Sequence, residues 1–229
     1  MSRRRVVVTG LGALAPNGND LDSFWDALVN GRSGIGPITK FDASGHRARI
    51  AGEIKDFDPE SALDRKDVRR NDPFTHYAMY VGLQAVAHAG LDMEAVDAER
   101  VGVIWGSGIG GITTHEKQHT VLMEKGPKRI SPFYVPMMIS DMAAGMISMV
   151  LGAKGPNYAT VSACSSASHA LGEAARKIQY DEADVMVTGG SEAAVTSISV
   201  AGFASAKALS TRNDEPARAS RPFDAERDG

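Results

Sequence analysis

The sequence has little cysteine, few aromatic residues and no dominant sign of charge. A single cysteine in 229 residues excludes a disulfide-stapled fold, so Cys164 is either a free thiol or a packing residue. The 25 basic and 28 acidic residues leave a net charge of -3, which argues against a nucleic-acid binder held by a general basic field. No apolar run approaches the roughly 20 residues that span a bilayer. We therefore expect a cytoplasmic globular protein that binds neither nucleic acid nor membranes.

The amino terminus is only partly similar to an export signal. Arginines at positions 3–5 precede an apolar run, but Gly10 and Gly12 interrupt that run and Pro16 ends it early. The run is more typical of a buried strand that ends in a glycine turn, and we predict this strand at residues 6–9.

Strand-like and helix-like segments alternate along the chain. Apolar spacing and capping residues predict helices at residues 21–29, 72–89, 113–125, 137–151 and 166–180. Strands are predicted at residues 6–9, 101–105, 158–161 and 185–188. This order predicts an α/β fold with a largely parallel sheet covered on both faces. No linker rich in Pro, Gly and Ser interrupts it, so residues 1–229 are interpreted as one continuous domain.

Two glycine-rich segments match dinucleotide-binding fingerprints. Residues 10–15 fit G-x-G-x-x-A, and residues 106–111 fit G-x-G-x-x-G after a predicted strand. However, Pro16 breaks the helix that must follow the first segment. The second segment lacks a strand that ends in an acidic residue about 20 positions later. Tight turns at strand ends are the favoured interpretation of both.

Residues 115–119 match H-E-x-x-H, the pattern of zinc metalloproteases. On a helix, His115 and His119 share one face, and Glu116 would act as the general base. The predicted helix is strongly polar, which is more typical of a solvated face, and no third ligand is evident downstream. We therefore predict no metal site, and a zinc metalloprotease stays an alternative.

Cys164 lies between a predicted strand and a predicted helix, among small residues. The unpaired N–H groups at a helix amino terminus favour the thiolate, which is the attacking form of cysteine. The same N–H groups are candidates to receive an oxyanion that develops on an attacked carbonyl. His169 lies about 140° around a helix from Cys164, so a base for this thiol must come from elsewhere. The setting favours a nucleophile over a packing residue.

Segments along the whole chain match one known protein family. They are residues 7–12, 106–111, 125–127, 130–136, 160–169, 189–193 and 201–210. In these segments the chain resembles the β-ketoacyl-[acyl-carrier-protein] synthases, the elongating type II condensing enzymes of the thiolase-like superfamily.

The resemblance implies a layered αβαβα fold, of which this chain holds the first half of a duplicated core. It implies that Cys164 takes an acyl group from acyl carrier protein and condenses it with malonyl-acyl carrier protein, with loss of CO2. Three residues match positions that line or gate the acyl pocket: Ile109, Phe203 and Tyr134, the last of which stands where the family often has Phe. Three more match the docking patch for the acidic carrier protein: Lys66, Arg69 and Arg70.

The resemblance also implies a homodimer and no cofactor. The carboxy-terminal half, with the family's active-site histidines, is expected in cis or as a separate chain, and this chain alone is expected to lack full activity. A polyketide ketosynthase, a thiolase-type acyltransferase and a non-catalytic dimer scaffold are also compatible with the sequence.

Overall fold

The computed structural model describes residues 4–229, so Arg3 of the arginine run lies outside the described residues. The helices are α1 (Leu21–Val29), α2 (Arg65–Arg70), α3 (Pro73–Ala89), α4 (Ile112–Lys125), α5 (Tyr134–Met138), α6 (Met142–Leu151), α7 (Ser166–Gln179) and α8 (Ser197–Ser205). The strands are β1 (Ile35–Pro37), β2 (Ile50–Gly52), β3 (Val101–Gly106), β4 (Asn157–Thr160) and β5 (Val185–Gly190). Short 3-10 helices lie at Pro59–Ser61, Ala98–Arg100, Pro127–Arg129 and Pro216–Arg218.

The chain divides into two compact units. The first contains residues 4–12 and Asp58–Ala193, and the second contains Ala13–Phe57 and Ala194–Gly229. The first unit holds α2 to α7 and β3 to β5. The second holds α1, α8 and the antiparallel pair of β1 and β2, in which Ile35 lies opposite Gly52. The interpretation of residues 1–229 as one continuous domain stays a prediction.

The first unit is built on a parallel three-stranded sheet in the order β4-β3-β5. Successive side chains of a strand point to opposite faces, and both faces of β3 are covered. Val101, Val103 and Trp105 belong to one apolar cluster with side chains of α3 and α6. Ile104 packs on the other face, against Ala170 and Ala174 of α7. The predicted α/β arrangement, with a parallel sheet covered on both faces, is confirmed.

The predicted first strand at residues 6–9 is wrong. No strand is formed there within residues 4–229, and the side chains of Val7 and Val8 are 62% and 79% exposed. A strand requires a neighbour that accepts and donates ladder hydrogen bonds, and β5 and β4 form the two edges of the described sheet. The segment instead passes close to α3. A Cβ on Gly12 would lie 2.1 Å from the Val81 carbonyl oxygen, so only glycine permits this approach.

The single helix predicted at residues 137–151 is also wrong, since two helices occupy this region. The backbone leaves the helical conformation at Ile139, where φ is −72° and ψ is 137°. The carbonyl oxygen of Met138 accepts a 3.0 Å hydrogen bond from the N–H of Gly111. Glycine is required there because a Cβ on Gly111 would lie 2.0 Å from the Met137 carbonyl oxygen. This contact takes a carbonyl group that a continuous helix would use internally.

The other predicted helices are confirmed, and their ends follow from capping. α1 begins after Asp20, whose side chain accepts from the Ser23 N–H in a capping box. α3 begins after Asp72 and ends at Ala89, where Gly90 caps it with a φ of +60°. The pattern missed α2, β1 and β2, which are three to six residues long, and it also missed α8, which is as long as α1. Within the described residues, no helix has the length and apolar character needed to cross a membrane.

Candidate active site

Cys164 lies on a tight turn between β4 and α7, and it is exposed. The Ser165 N–H donates to the Ser162 carbonyl oxygen at 3.1 Å and closes the turn. Ala163 has a φ of +53°, a left-handed conformation that costs a non-glycine residue free energy. The predicted setting of Cys164, after a strand and directly before a helix, is confirmed. Its role as nucleophile stays a prediction.

Two glycines let α7 start close to the carboxyl ends of β3 and β5. A Cβ on Gly106 would lie 2.4 Å from the Ser166 carbonyl carbon, and one on Gly190 would lie 2.6 Å from the Ala167 Cβ. These glycines are paired across the sheet at the last residues of their strands. Cys164 therefore stands at the carboxyl edge of a parallel sheet, which is where α/β proteins bind ligands.

A buried serine holds the cysteine turn. The Ser166 hydroxyl donates to the Ala163 carbonyl oxygen at 2.7 Å and accepts from the Ser162 N–H at 2.9 Å. The Thr160 hydroxyl in turn donates to the Ser166 carbonyl oxygen at 2.8 Å. The turn thus has side-chain bonds from both the strand before it and the helix after it.

The first N–H groups of this region are not all available to an oxyanion. The N–H of Ser165 donates to Ser162, and the N–H of Ser166 donates to the Ala163 carbonyl oxygen at 3.1 Å. The expectation that the helix amino terminus receives an oxyanion is therefore wrong for these two groups. The neighbouring His169 ring is engaged by Ser162, with 2.6 Å between Nδ1 and the hydroxyl oxygen.

The glycine-rich segment after β3 binds a carboxylate of the same chain. Glu192 Oε2 accepts from the N–H of Gly108 at 2.7 Å and from that of Ile109 at 3.0 Å. The N–H of Gly110 donates to the Ser107 hydroxyl at 3.1 Å. These three N–H groups are those that a phosphate would need in a dinucleotide site. The interpretation of this motif as a turn, and not as a nucleotide site, fits these contacts.

The three predicted acyl-pocket residues lie in different elements. Ile109 is 40% exposed in the loop after β3. Tyr134 is the first residue of α5, and its hydroxyl lies 2.8 Å from His115 Nδ1. Phe203 belongs to α8 of the second compact unit and is 47% exposed. Their role in an acyl pocket stays a prediction.

The H-E-x-x-H segment lies on α4, as predicted. The rings of His115 and His119 stack with centroids 6.4 Å apart, and His115 is engaged by Tyr134. Among residues 4–229, no group of three or more His, Cys, Asp or Glu side chains is arranged to hold a metal ion. These contacts do not favour the zinc metalloprotease hypothesis.

The predicted docking residues are all on α2, and all three are exposed: Lys66, Arg69 and Arg70. The guanidinium of Arg70 lies over the ring of Phe133, 4.9 Å from its centroid. Such a cation–π contact holds the Arg70 side chain in one place. The other two cations extend from the exposed face of a short helix.

The buried carboxylate of Asp72 binds the amino-terminal ends of both α3 and α4. Asp72 accepts from the N–H of Phe74 in α3 at 3.2 Å and from the N–H of Thr114 in α4 at 2.7 Å. Burial raises the pKa of Asp72, and these hydrogen bonds oppose that shift. Burial also lowers the pKa of the neighbouring His76. One side chain therefore caps α3 and fixes the start of the helix that follows the glycine-rich loop.

Comparison with known families shows which family this chain belongs to. Residues 3–229 match the family described as beta-ketoacyl synthase, N-terminal domain. The chain belongs to the β-ketoacyl synthase family. The family resemblance predicted from the sequence is thereby confirmed.

Several curated relatives of this β-ketoacyl synthase chain are named 3-oxoacyl-[acyl-carrier-protein] synthase 2. The protein from Synechocystis sp. is 53% identical, and that from Vibrio harveyi is 51% identical, each over 229 residues. Both alignments cover 100% of this chain and 55% of the relative. The chain therefore spans about half the length of the curated relatives it matches.

Solved structures confirm the thiolase-like α/β fold. A beta-ketoacyl synthase from Burkholderia phymatum is 31% identical, with a TM-score of 0.87 over 100% of this chain and 56% of that one. A type II PKS ketosynthase bound to a hexaketide, in complex with its acyl-carrier protein, is 25% identical. Its TM-score is 0.79 over 91% of this chain and 57% of that one.

Sequence reasoning missed two residues that organise this site, Ser166 and Glu192. Ser166 is one of several serines around Cys164, and nothing in the pattern distinguishes the one whose hydroxyl turns inward. Glu192 carries a clearer signal, because it is an acidic residue directly after the end of a buried strand in a glycine-rich segment.

Proposed function

We propose that this chain is the amino-terminal half of a condensing enzyme of fatty acid synthesis, in which Cys164 accepts the acyl chain. The observation that carries the proposal is the exposed Cys164 thiol on a strained turn at the carboxyl edge of the sheet. The family assignment and the names of the relatives support the reaction type. The remaining half of the enzyme would be supplied in cis or by a separate chain.

The first chemical step is a transfer between thioesters. The sulfur of Cys164 attacks the carbonyl carbon of an acyl group held on acyl carrier protein. A new C–S bond forms as the bond to the carrier's sulfur breaks, and the carrier leaves as its thiol. Cysteine suits this step because its thiolate is both a strong nucleophile and a good leaving group.

The second step lengthens the chain by two carbons. Malonyl-acyl carrier protein loses CO2, and the resulting carbanion attacks the acyl carbon on Cys164. The bond to the Cys164 sulfur breaks, and 3-oxoacyl-acyl carrier protein is released. Ile109, Tyr134 and Phe203 would contact the acyl chain. The general acid and base groups for this step would lie in the other half.

Polyketide elongation is the second candidate function. The structural similarity to a type II PKS ketosynthase favours it, since the TM-score is 0.79. That protein is only 25% identical, whereas the Synechocystis 3-oxoacyl-[acyl-carrier-protein] synthase 2 is 53% identical. The identities therefore favour fatty acid elongation over polyketide elongation. The cytoplasmic location expected from the sequence remains part of the proposal.

Transfer of a radiolabelled acyl group from acyl carrier protein to the 229-residue chain tests the function. We expect label on the chain and none on Cys164→Ala, and we expect no decarboxylative condensation without the other half. Equal labelling of both proteins would contradict the nucleophile. No labelling at all would support a non-catalytic scaffold, and acylation only by coenzyme A thioesters would support a thiolase-type acyltransferase.

The basic face of α2 is the proposed docking site for the acidic carrier protein. Lys66 and Arg69 are exposed, and Arg70 is held by Phe133. Charge complementarity of this kind acts mainly on the association rate and weakens with salt. We expect Arg69→Ala to lower the second-order rate of acylation by acyl carrier protein about tenfold at low salt. Arg176→Ala on α7 is the matched control, and an equal effect of both would contradict this docking site.

The proposed homodimer would form along the exposed edge of β4. This edge strand is followed by Val161, which is 62% exposed, and Met149 and Val150 of α6 are exposed as well. Unpaired strand edges with exposed apolar side chains are templates for pairing with a second chain. Sedimentation of Val161→Asp against the unsubstituted chain tests it. A dimer that persists unchanged in the variant would contradict this interface.

A further inference from the structure

The glycine-rich loop after β3 is held by a single carboxylate and one buried hydroxyl. Glu192 Oε2 receives the N–H groups of Gly108 and Ile109, and Glu192 Oε1 accepts from the Ser107 hydroxyl at 3.2 Å. Ser107 is 2% exposed, and its oxygen also receives the N–H of Gly110. All three consecutive N–H groups of the loop therefore depend on Glu192, either directly or through Ser107.

The backbone next to Glu192 is held by several hydrogen bonds. The preceding Ser191 donates its N–H to the Gly106 carbonyl oxygen at 3.0 Å. The Ser191 hydroxyl accepts from Trp105 Nε1 at 2.9 Å and donates to the Phe74 carbonyl oxygen at 2.8 Å. The backbone at the end of β5 is thus fixed to β3 and α3. A carboxylate attached to such a fixed backbone can hold a loop at a defined distance.

The loop lies directly against the cysteine turn. A Cβ on Gly108 would lie 3.3 Å from the Ala163 carbonyl oxygen and 3.4 Å from the Ala163 Cα. Gly108 adjoins Ile109, and Ala163 adjoins Cys164. Any displacement of the loop therefore changes the position of the Ile109 side chain relative to the thiol.

We propose that Glu192 is a positioning residue for acyl transfer, which holds the loop of Ser107–Gly110 so that Ile109 and Cys164 keep one relative geometry. The inference rests on the function proposed above, but it concerns a residue to which the family resemblance assigns no role. Misplacement of a reacting group by about 1 Å can cost about a hundredfold in rate, so a loop clamp at this place has a catalytic consequence.

Three substitutions separate the reach of this side chain from its charge. Glu192→Gln keeps one oxygen at the right distance to accept from Gly108 and Ile109. Glu192→Asp keeps the charge, but its carboxylate is one methylene too short to reach both. Glu192→Ala removes both properties. Glu173→Ala is the control, because Glu173 is a half-buried carboxylate on α7 that pairs with Arg176.

We expect the maximal acylation rate of Cys164 to fall about ten- to a hundredfold in Glu192→Ala and Glu192→Asp. The half-saturating concentration of the acyl donor should change less than about threefold, because the docking face is not altered. Glu192→Gln and Glu173→Ala should stay within about threefold of the unsubstituted rate. Amide hydrogen exchange at Gly108 and Ile109 should rise at least about tenfold only in the Ala and Asp variants.

Several results would overturn the proposal. One is a wild-type acylation rate in Glu192→Asp, and another is a loss in Glu192→Gln as large as that in Glu192→Ala, which would show that charge and not reach matters. Unchanged amide exchange in Glu192→Asp would also overturn it. If the unsubstituted chain is not acylated, the proposed function fails, and the exchange comparison still decides whether Glu192 holds the loop.

Discussion

The Ser166 hydroxyl donates a 2.7 Å hydrogen bond to the carbonyl oxygen of Ala163, directly across the turn that carries Cys164. Ala163 has a φ of +53°, so the bond stabilises a backbone conformation that alanine avoids. Ser166 is the first residue of α7 and is only 3% exposed. The strain next to the thiol is therefore balanced by a residue of the helix that follows it.

Replacement of this serine should impair both stability and reactivity. Ser166→Ala leaves the Ser162 N–H without its acceptor and the Ala163 carbonyl without one of its donors. We expect a loss of about 1–3 kcal/mol in the free energy of unfolding. Because the turn is then free to relax, acylation of Cys164 should slow about tenfold. Urea denaturation and acylation rates measure the two effects.

Ser165→Ala is the matched control for this change. Ser165 precedes α7, and its side chain makes no capping hydrogen bond with the helix. It should change the free energy of unfolding by less than about 0.5 kcal/mol. Equal losses in the two variants would mean that the Ser166 hydroxyl does not hold the turn.

The left-handed residue offers a second test. Ala163→Gly removes a left-handed penalty of about 1–2 kcal/mol, but it adds about 0.5–1 kcal/mol of unfolded-state entropy. We therefore expect a net gain of up to about 1.5 kcal/mol in the free energy of unfolding. Ala163→Val places a β-branched side chain in the same conformation, and it should lose about 1–3 kcal/mol. Thermal unfolding of both variants checks the order Gly, Ala, Val. A valine variant as stable as the glycine variant would show that the turn is not strained.

The sequence predicts most of the fold because capping and apolar periodicity are local signals. The limits of α1 and α3 could be read from Asp20, Asp72 and Gly90, since each of these residues caps its helix through neighbours in sequence. The strand at residues 6–9 could not be predicted correctly, because strand formation depends on a pairing neighbour that a sequence pattern does not show.

The same distinction applies to the site. Cys164 could be placed before a helix because small residues and a strand surround it in the sequence. The hydrogen bond between Glu192 and Gly108 joins residues 84 positions apart, so a local sequence pattern could not predict it. The interruption between α5 and α6 has a similar cause, since the Gly111 N–H that accompanies it comes from a distant loop.

The buried carboxylate of Asp72 makes stability depend on pH. Its pKa is raised by burial, so the folded chain binds a proton more tightly than the unfolded chain. The contribution of Asp72 to stability should therefore decrease as the pH rises from 3.8, the ordinary pKa of an aspartate, through the raised pKa that Asp72 has in the folded chain. Asp72→Asn cannot titrate. The free energy of unfolding of the unsubstituted chain, minus that of Asp72→Asn, should fall across this range and level off above it.

A difference that rises with pH would instead mean that the hydrogen bonds from Phe74 and Thr114 outweigh burial. Asp42→Asn serves as the exposed control, because hydrogen bonds from Ser44 lower the pKa of Asp42. For that residue, stability is lost as pH falls through the folded value, so the two differences should slope in opposite directions.

The glycine at the end of β3 tests whether the start of α7 must lie close to the sheet. In Gly106→Ala the new Cβ would lie 2.4 Å from the carbonyl carbon of Ser166 and 2.5 Å from the N of Ala167. Both atoms are backbone and cannot rotate away, so the helix must shift. Overpacking of this kind costs about 1–3 kcal/mol in the free energy of unfolding, and acylation of Cys164 should fall about tenfold or more.

Gly145→Ala in α6 is the control, since a Cβ there meets nothing within 4 Å and should stabilise the helix by about 0.5–1 kcal/mol. A Gly106→Ala chain that is as stable and as readily acylated as Gly145→Ala would show that Cys164 does not depend on the close approach of α7 to β3.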